Sequence, residues 1–301
     1  MRPSLFIAGL REQSNKLFPR CNDSSCGGRG TWWQLYWRKA GVRLNRQWYC
    51  SPQCFERAAR QSFVRALANS ASSRPVRHRV PLGLLMLSRG QLTNRQLRLA
   101  LDAQRNGGRG RIGHWLQQLG FATEQQVTAA LGMQWSCPIF AQPEPGDFTC
   151  LGLLPFPLME SFRMLPIHFV AATQSLYLAF CEGIEYAALC AIEHILGCHT
   201  EACLVGDSVL NAGLQRFEPA RRRGELVFES CRQAAEMARI ACSYALKLGA
   251  GEVRLAPCGP FMWVRLEHTE GHTDLLFRTH PAGLRTGLGH AMPPLSLQES
   301  S

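Results

Sequence analysis

Lysine is nearly missing from this chain, and its scarcity excludes one class of function. Of the 33 basic residues among 301, only Lys16, Lys39 and Lys247 are lysines, and the others are arginines. The phosphate-binding loop of a P-loop ATPase needs a lysine followed by Ser or Thr, whereas these lysines precede Leu, Ala and Leu. The sequence therefore excludes a P-loop ATPase activity for these residues.

Long apolar runs are also missing. No stretch reaches the roughly 18 apolar residues that a transmembrane helix requires, and the apolar run after Met1 is too short for a signal peptide. We therefore expect a cytoplasmic protein without a membrane span. In that compartment its 13 cysteines should be free thiols or metal ligands rather than disulfides.

Acidic residues are scarce in the first third of the chain. Through Arg111 there are 21 basic and 4 acidic residues, a net charge of +17, whereas the remainder has a net charge of −6. Arginine-rich segments bind phosphates and guanine edges well, so a nucleic acid is one candidate partner for the basic N-terminal module. A codon bias toward arginine would give the same composition.

Catalytic constellations are not evident either. His114, His168, His194 and His199 have no paired acid or nucleophile at a recognisable spacing. An isolated histidine is usually a surface or core residue, although it can titrate near neutral pH. We predict that the protein is not an enzyme.

Four N-terminal cysteines have a spacing that suits a metal. They form a Cys-x4-Cys pair and a Cys-x3-Cys pair separated by 23 residues, at Cys21, Cys26, Cys50 and Cys54. Aromatic-rich runs on either side of Gly41 predict a β-hairpin between the pairs, and Ser51 followed by Pro52 predicts a helix start. A knuckle, a hairpin and a helix that carries the last ligand form a treble-clef-like arrangement. Four thiolates bind structural Zn²⁺; four unpaired cysteines are the alternative.

A tandem repeat follows, with a period of 30 residues. The identities are Gly83/Gly113, Gly90/Gly120, Thr93/Thr123, Gln96/Gln126, Ala100/Ala130, Leu101/Leu131 and Gln104/Gln134. In each copy a short apolar helix ends at a glycine, and a Thr-x-x-Gln capping box starts a second helix. Two helical hairpins are therefore predicted, with a basic, glycine-rich loop from Arg105 to Arg111 between them.

The repeat follows the pattern RLGxxLxxxGxxxxxxLxxxLxxQ and resembles the MshEN-type domain at the N-terminus of type II secretion and type IV pilus assembly ATPases. The resemblance implies cyclic-di-GMP binding. Pro81 stands where the first arginine of the pattern is expected, and Arg79 is a candidate substitute. The positions that the resemblance assigns to the ligand, together with Arg109 of the loop, are Leu82, Gly83, Gly90, Leu97, Leu101, Gln104, Arg109, Arg111, Gly113, Leu116, Gly120, Val127, Leu131 and Gln134. A purely helical packing role for the repeat is the alternative.

The predicted fold class is α+β and multidomain, with a treble-clef-like module, a tandem helical block with a small α/β sandwich, and a partial second α/β domain that resembles the second N-terminal domain of the same ATPases. We expect the chain to lack the ATPase motor. The predicted units are a zinc module at 1–68, a linker at 69–80, the repeat at 81–135, the α/β subdomain at 136–218, a linker at 219–224, the partial domain at 225–286 and a disordered tail at 287–301.

The sequence therefore predicts a regulatory or adaptor protein that is not an enzyme. Its expected ligands are structural Zn²⁺ and cyclic-di-GMP, and its expected partner is a protein of the secretion or pilus machinery. A zinc-finger regulator that binds nucleic acid, with an ATPase-derived scaffold, is the second hypothesis.

Overall fold

The computed structural model describes residues 21–26, 41–71, 79–107, 110–140, 150–217 and 224–279. This part of the chain combines helices with two β-sheets, one of six strands and one of three. The mixed α and β composition that the sequence predicts is therefore confirmed. Within the described residues no helix is both long and apolar enough to cross a membrane.

The tandem repeat forms four helices. The first copy contains α2 (Leu82–Ser88) and α3 (Asn94–Gly107), and the second contains α4 (Ile112–Gln118) and α5 (Glu124–Trp135). Helix α2 packs against α5, and α3 packs against α4, so each hairpin also packs against the other. The four-helix block predicted from the repeat is present.

A small α/β unit follows the repeat. After a 3-10 turn, α6 (Phe156–Phe162) leads into β3 (Met164–Val170) and the antiparallel β4 (Ser175–Phe180). Helix α7 (Tyr186–Leu196) then returns the chain to β5 (His199–Leu204), which runs parallel to β4, and α8 (Asp207–Phe217) packs on α6 and β3. The helix bounds at Tyr186 and Leu196 agree with the apolar pattern of the sequence.

The larger sheet contains both ends of the described chain. Its N-terminal strands are β1 (Val42–Leu44) and β2 (Gln47–Tyr49), and its C-terminal strands are β6 (Glu225–Phe228), β7 (Glu252–Cys258), β8 (Phe261–His268) and β9 (Gly271–Arg278). The strand order is β2-β1-β7-β8-β9-β6. Strand β1 pairs with β7 in parallel, so residues about 209 positions apart are neighbours in one sheet.

The two sides of this sheet pack against different hydrophobic cores. Met262, Val264 and Leu266 of β8 belong to a core shared with α1 (Pro52–Ala71) and α9 (Ala234–Leu248), whereas Phe261 and Trp263 belong to a core shared with the repeat and the small α/β unit. This alternation follows from the two-residue period of a strand. The sheet is therefore buried on both faces.

Several boundaries differ from the sequence predictions. The described residues contain a hairpin with its turn at Asn45 and Arg46, both with positive φ as a two-residue hairpin turn requires. The aromatic run before Gly41, which the sequence assigns to a strand, lies outside the described residues. Residues 69–71 continue α1 instead of starting a linker. Strand β9 was not foreseen. The predicted module at 1–68 shares its core with residues 231–277. The predicted tail at 287–301 lies outside the described residues, as does the predicted 219–224 linker except for Gly224.

Candidate functional site

The four N-terminal cysteines converge in space. Cys21 and Cys26 flank a short turn, Cys50 follows β2, and Cys54 lies in the first turn of α1. The turn is tied to the hairpin because the Asn22 amide donates to the Trp48 carbonyl at 2.9 Å. The Cys54 amide donates to Ser51 Oγ at 3.2 Å, which confirms the predicted serine cap.

The distances between the thiols suit one metal ion. All four Sγ atoms lie within 4.8 Å of one another, with Cys26 to Cys50 at 3.5 Å and Cys50 to Cys54 at 3.9 Å. A tetrahedral site with Zn–S bonds of about 2.3 Å places its sulfurs about 3.8 Å apart. A disulfide would need a sulfur separation of about 2.05 Å. The cluster therefore fits a four-thiolate metal site and not a disulfide.

The chemistry of the donors agrees with that geometry. Burial, followed by contacts with the Cys26 and Cys21 thiols, raises the pKa of Cys50 far above its ordinary value. Metal coordination is the usual way in which such packed thiols lose their protons, because the cation compensates the charge of the thiolates.

An ion pair supports the cluster from outside. Arg57 of α1 donates to Asp23 Oδ2 through Nε at 3.0 Å, and its Nη2 lies 3.5 Å from Cys54 Sγ. The Asp23 carboxylate also accepts bonds from the amide and hydroxyl of Ser25. Arg57 and the Ser25 hydrogen bonds lower the pKa of Asp23, which remains ionised. Neither Asp23 nor Arg57 is marked by the cysteine spacing, although Asp23 lies between two predicted ligands.

Within the described ranges no other group of His, Cys, Asp or Glu has metal-ligand geometry. The prediction that the remaining cysteines are buried apolar residues holds for Cys181, Cys198 and Cys203, but Cys190 is exposed and Cys150 is half-buried. Cys190 lies on the outer face of α7, where its small side chain faces solvent.

In the tandem repeat, the glycine-and-leucine part of the motif has a packing role. A Cβ on Gly83 would lie 2.5 Å from Leu97 Cδ1, and a Cβ on Gly113 would lie 2.9 Å from Val127 Cγ1. These two pairs occupy equivalent positions in the two copies. Each glycine therefore allows the first helix of a hairpin to approach the second. The buried members of the assigned set are Leu82, Gly83, Leu97, Gly113, Leu116, Val127 and Leu131.

The other repeated glycines and threonines shape the helix ends. Gly90 and Gly120 have φ of +68° and +69°, a conformation that favours glycine. The amides just beyond them, of Gln91 and Phe121, bond back to the Met86 and Leu116 carbonyls. Both predicted capping boxes are confirmed: Thr93 exchanges bonds with Gln96, and Thr123 with Gln126.

The two glutamines of the motif make equivalent bonds. Gln104 Nε2 donates to the Gly110 carbonyl at 2.9 Å, and Gln134 Nε2 donates to the Val80 carbonyl at 2.7 Å. Gly110 and Val80 lie two residues before the first residues of α4 and α2, respectively. Each glutamine therefore bonds to the segment that leads into the first helix of the other copy. These reciprocal contacts give the two copies an approximate two-fold relation.

Arg111 is the one charged member of the assigned set that lies within the described residues, and 56% of its side chain is accessible. Its Nε lies 3.2 Å from Glu182 Oε2, its Nη1 donates to the Glu182 carbonyl, and its Nη2 lies 4.0 Å from Glu185 Oε1. Burial raises the pKa of Glu185, and Arg111 opposes that shift. Arg111 thus bridges the repeat to the loop between β4 and α7. The sequence analysis did not identify these carboxylates.

The first copy has a different cation at its entry. Arg79, the candidate substitute for the arginine replaced at Pro81, lies with Cζ 3.5 Å from the centroid of the Trp135 ring. Trp135 also packs near Tyr186 and against Gly183, where a Cβ would lie 2.5 Å from the indole. Gly90, Leu101 and Gly120 are exposed, and Arg109 lies outside the described residues. The polar ligand candidates that remain on the surface are Arg111, Gln104 and Gln134.

Comparison with known proteins gives structural neighbours only. No protein-family model and no curated protein matches the sequence. The structure of MshE with cdg is 28% identical, with a TM-score of 0.40, and spans 46% of this chain and 99% of that one. The N-terminal domain of XpsE in two crystal forms is 15% and 18% identical, with TM-scores of 0.34 and 0.29. It spans 47% and 44% of this chain, and 99% and 90% of those chains. Each of these three structures matches a little under half of this chain.

Proposed function

We propose that this chain is a regulatory adaptor that binds cyclic-di-GMP on its tandem repeat and Zn²⁺ at its N-terminal cysteines. It has no catalytic role of its own, and its partner belongs to the secretion or pilus machinery. The metal centre is structural, in a treble-clef-like frame, and the dinucleotide is the signal. The protein acts in the cytoplasm.

The observation that carries the dinucleotide proposal is the reciprocal arrangement of the two copies. Cyclic-di-GMP has two equivalent halves, each with one guanine and one phosphate, so a site with two-fold character suits it. Gln104 and Gln134 place the entries of α4 and α2 in equivalent settings, and Arg111 lies at one of these entries with its guanidinium half-exposed. Arginine is well suited to a planar contact with guanine or a phosphate.

The packing observations support a division of the motif into residues that shape the helical block and residues that contact the ligand. The buried leucines, glycines and Val127 shape the helical block, so they act on binding through the backbone that they position. Direct contacts therefore fall to Arg111, to the glutamines and to the backbone at the helix entries. Arg111 must release Glu182 and Glu185 when it engages a phosphate.

Four thiolates with no vacant position support a structural metal. A closed Zn²⁺ site of this kind supplies folding free energy and holds no water for chemistry. Cys54 is buried, and the other three cysteines are half-buried. Residues 21, 26, 50 and 54 would bind the ion, and Arg57 would donate toward one of the coordinating sulfurs.

Isothermal titration of the zinc-loaded full chain with cyclic-di-GMP tests the proposal. We expect saturable heat with one ligand per chain, and we expect Arg111→Ala to weaken binding by about one to two orders of magnitude, because a charge-assisted hydrogen bond contributes about 1.5–3 kcal/mol. Arg95→Ala, on an exposed position of α3, is the matched control and should bind normally. The proposal is contradicted if millimolar cyclic-di-GMP produces no binding heat and leaves the melting temperature of the zinc-loaded chain unchanged.

A further inference from the structure

The N-terminal cysteine segment is not packed as a separate finger. Strand β1 and helix α1 contribute Val42, Leu44, Phe55, Ala59 and Phe63 to the core that contains α9 and one face of β7, β8 and β9. All five of these side chains are buried. The hydrophobic core of the C-terminal sheet is therefore completed by residues that lie next to the candidate metal ligands.

Backbone bonds join the hairpin to the edge of β7. The Arg43 amide donates to the Gly251 carbonyl at 3.0 Å, and the Asn45 amide donates to the Val253 carbonyl at 2.9 Å. The Asn45 side chain adds a third bond, since its Oδ1 accepts from the Leu255 amide at 3.0 Å. The same oxygen lies 3.3 Å from His194 Nε2 of α7. Asn45 is thus the joint between the hairpin, β7 and α7.

Helix α1 provides a second connection, to β9 and to α9. The ring of Phe63 packs edge-to-face on Phe277 of β9 with centroids 5.9 Å apart, and the Cys242 thiol of α9 lies 3.6 Å from the Pro52 carbonyl. Pro52 lies two residues before the ligand Cys54. The first turn of α1 therefore contacts both the candidate metal site and α9.

The hairpin itself is short and depends on its neighbours for stability. Strands β1 and β2 contain three residues each, and an isolated two-stranded hairpin is marginal in water. The cysteines lie where reinforcement is needed. Cys50 directly follows β2, Cys54 lies in the first turn of α1, and the Cys21–Cys26 turn bonds to β2 through the Trp48 carbonyl. One ion at this point would fix the angle between hairpin and helix.

We propose that the metal at Cys21, Cys26, Cys50 and Cys54 is a latch for the C-terminal sheet: by fixing β1 against β7 and α1 against α9, it controls the folding of residues about 200 positions away. The inference rests on the metal binding proposed above. A finger that recognised a partner independently would instead fold and unfold without effect on the C-terminal strands. Metal occupancy therefore governs the folding of the C-terminal sheet and of α9.

Hydrogen exchange measured by mass spectrometry on the full chain tests the latch. The chain is compared in its zinc-loaded form and after removal of metal by a chelator under reducing conditions, with metal content measured on both samples. We expect zinc to slow exchange at least tenfold in peptides from β7 and α9. Peptides from β4 and β5, which belong to the other sheet, should change much less, because contacts with the latch do not reach them directly.

Two outcomes separate the latch from the metal site itself. Zinc that binds stoichiometrically but protects only residues 21–71 overturns the latch and leaves the metal site intact. A chain that binds no zinc and exchanges identically with and without the chelator overturns both. Because the first comparison uses the unmodified chain, it does not depend on whether a cysteine variant folds.

A substitution at the joint provides the second measurement. Asn45→Gly keeps the positive φ of 47° accessible while removing the side-chain oxygen that bonds Leu255. We expect normal zinc content with a smaller zinc-dependent protection of β7. The matched control is Cys190→Ser, an exposed cysteine outside the cluster, which should reproduce the unmodified chain. Full protection of β7 in Asn45→Gly contradicts transmission through this joint.

Discussion

The cysteine cluster and the tandem repeat show two different relations between a sequence motif and a site. In the cluster, each of the four motif residues contributes its own reactive atom to one point in space. In the repeat, half of the assigned residues are buried and shape the helices, while Arg111 and the glutamines remain on the surface. A short motif of ligands identifies the site directly, whereas a long motif mixes contacts with the packing that positions them.

The largest expected effect is the loss of stability when one cysteine of the cluster is replaced. Cys50→Ser removes one of four ligands and should destabilise the zinc-loaded chain by about 4 kcal/mol or more, since loss of a structural metal is among the most damaging single changes. Chemical denaturation with zinc present measures the change. The control is Cys190→Ser, and equal stability of the two variants would contradict a metal role for Cys50.

Next in size is a test of the packing part of the repeat. Gly113→Ala places a methyl group 2.9 Å from Val127 Cγ1, a stiff β-branched side chain, and should cost about 1–3 kcal/mol. Gly152→Ala meets no atom within 4 Å and should be close to neutral. Thermal unfolding compares the two. A tolerated Gly113→Ala that nevertheless abolishes ligand binding would instead make this glycine a direct contact.

A smaller effect concerns the ion pair at Arg111. Glu182→Gln removes a carboxylate that competes with the ligand for this guanidinium, so affinity for cyclic-di-GMP should rise by up to about fivefold, in keeping with the modest energy of exposed ion pairs. Titration calorimetry reports the change, and Glu201→Gln on the exposed side of β5 serves as the control. Weaker binding by Glu182→Gln would mean that the pair pre-orders Arg111 for its ligand.

The smallest expected effect is a pH dependence at His194. Burial, followed by Arg254 and Arg46, lowers the pKa of His194, so the unfolded state binds a proton more readily than the folded state. Stability should therefore be complete above the ordinary histidine pKa of about 6.5 and should fall as the pH drops through the lower folded value. His194→Gln should flatten this slope in denaturation curves recorded between pH 5 and pH 8. A slope that persists assigns the effect to another group.

Local signals in the sequence predicted local structure well. The Thr-x-x-Gln boxes, the glycine helix ends, the Ser51 cap and the bounds of α7 all depend on residues within a few positions of one another. The four cysteines were also predictable, because ligand chemistry and spacing restrict the alternatives. Strand β9 was missed because its polar first half, Gly271 to Asp274, conceals the apolar residues that follow.

Long-range pairings were beyond the sequence. The sequence of Val42–Leu44 does not predict its parallel pairing with β7, because that contact depends on apolar faces from distant parts of the chain. The same holds for Glu182, which meets Arg111 from 71 positions away. The positive φ of Asn45 and Arg46 marks a hairpin turn that the sequence does not signal, because neither residue is glycine.

Because Gln104 and Gln134 each bond to the other copy of the repeat, the two copies contact each other as the two subunits of a homodimer do. Two equivalent surfaces meet in the manner of a homodimer, yet a loop of a few residues joins them covalently. Dilution cannot separate partners that are linked in this way. The two-fold features that a pair of free subunits would lose at low concentration are therefore retained by a single chain at any concentration at which it remains folded.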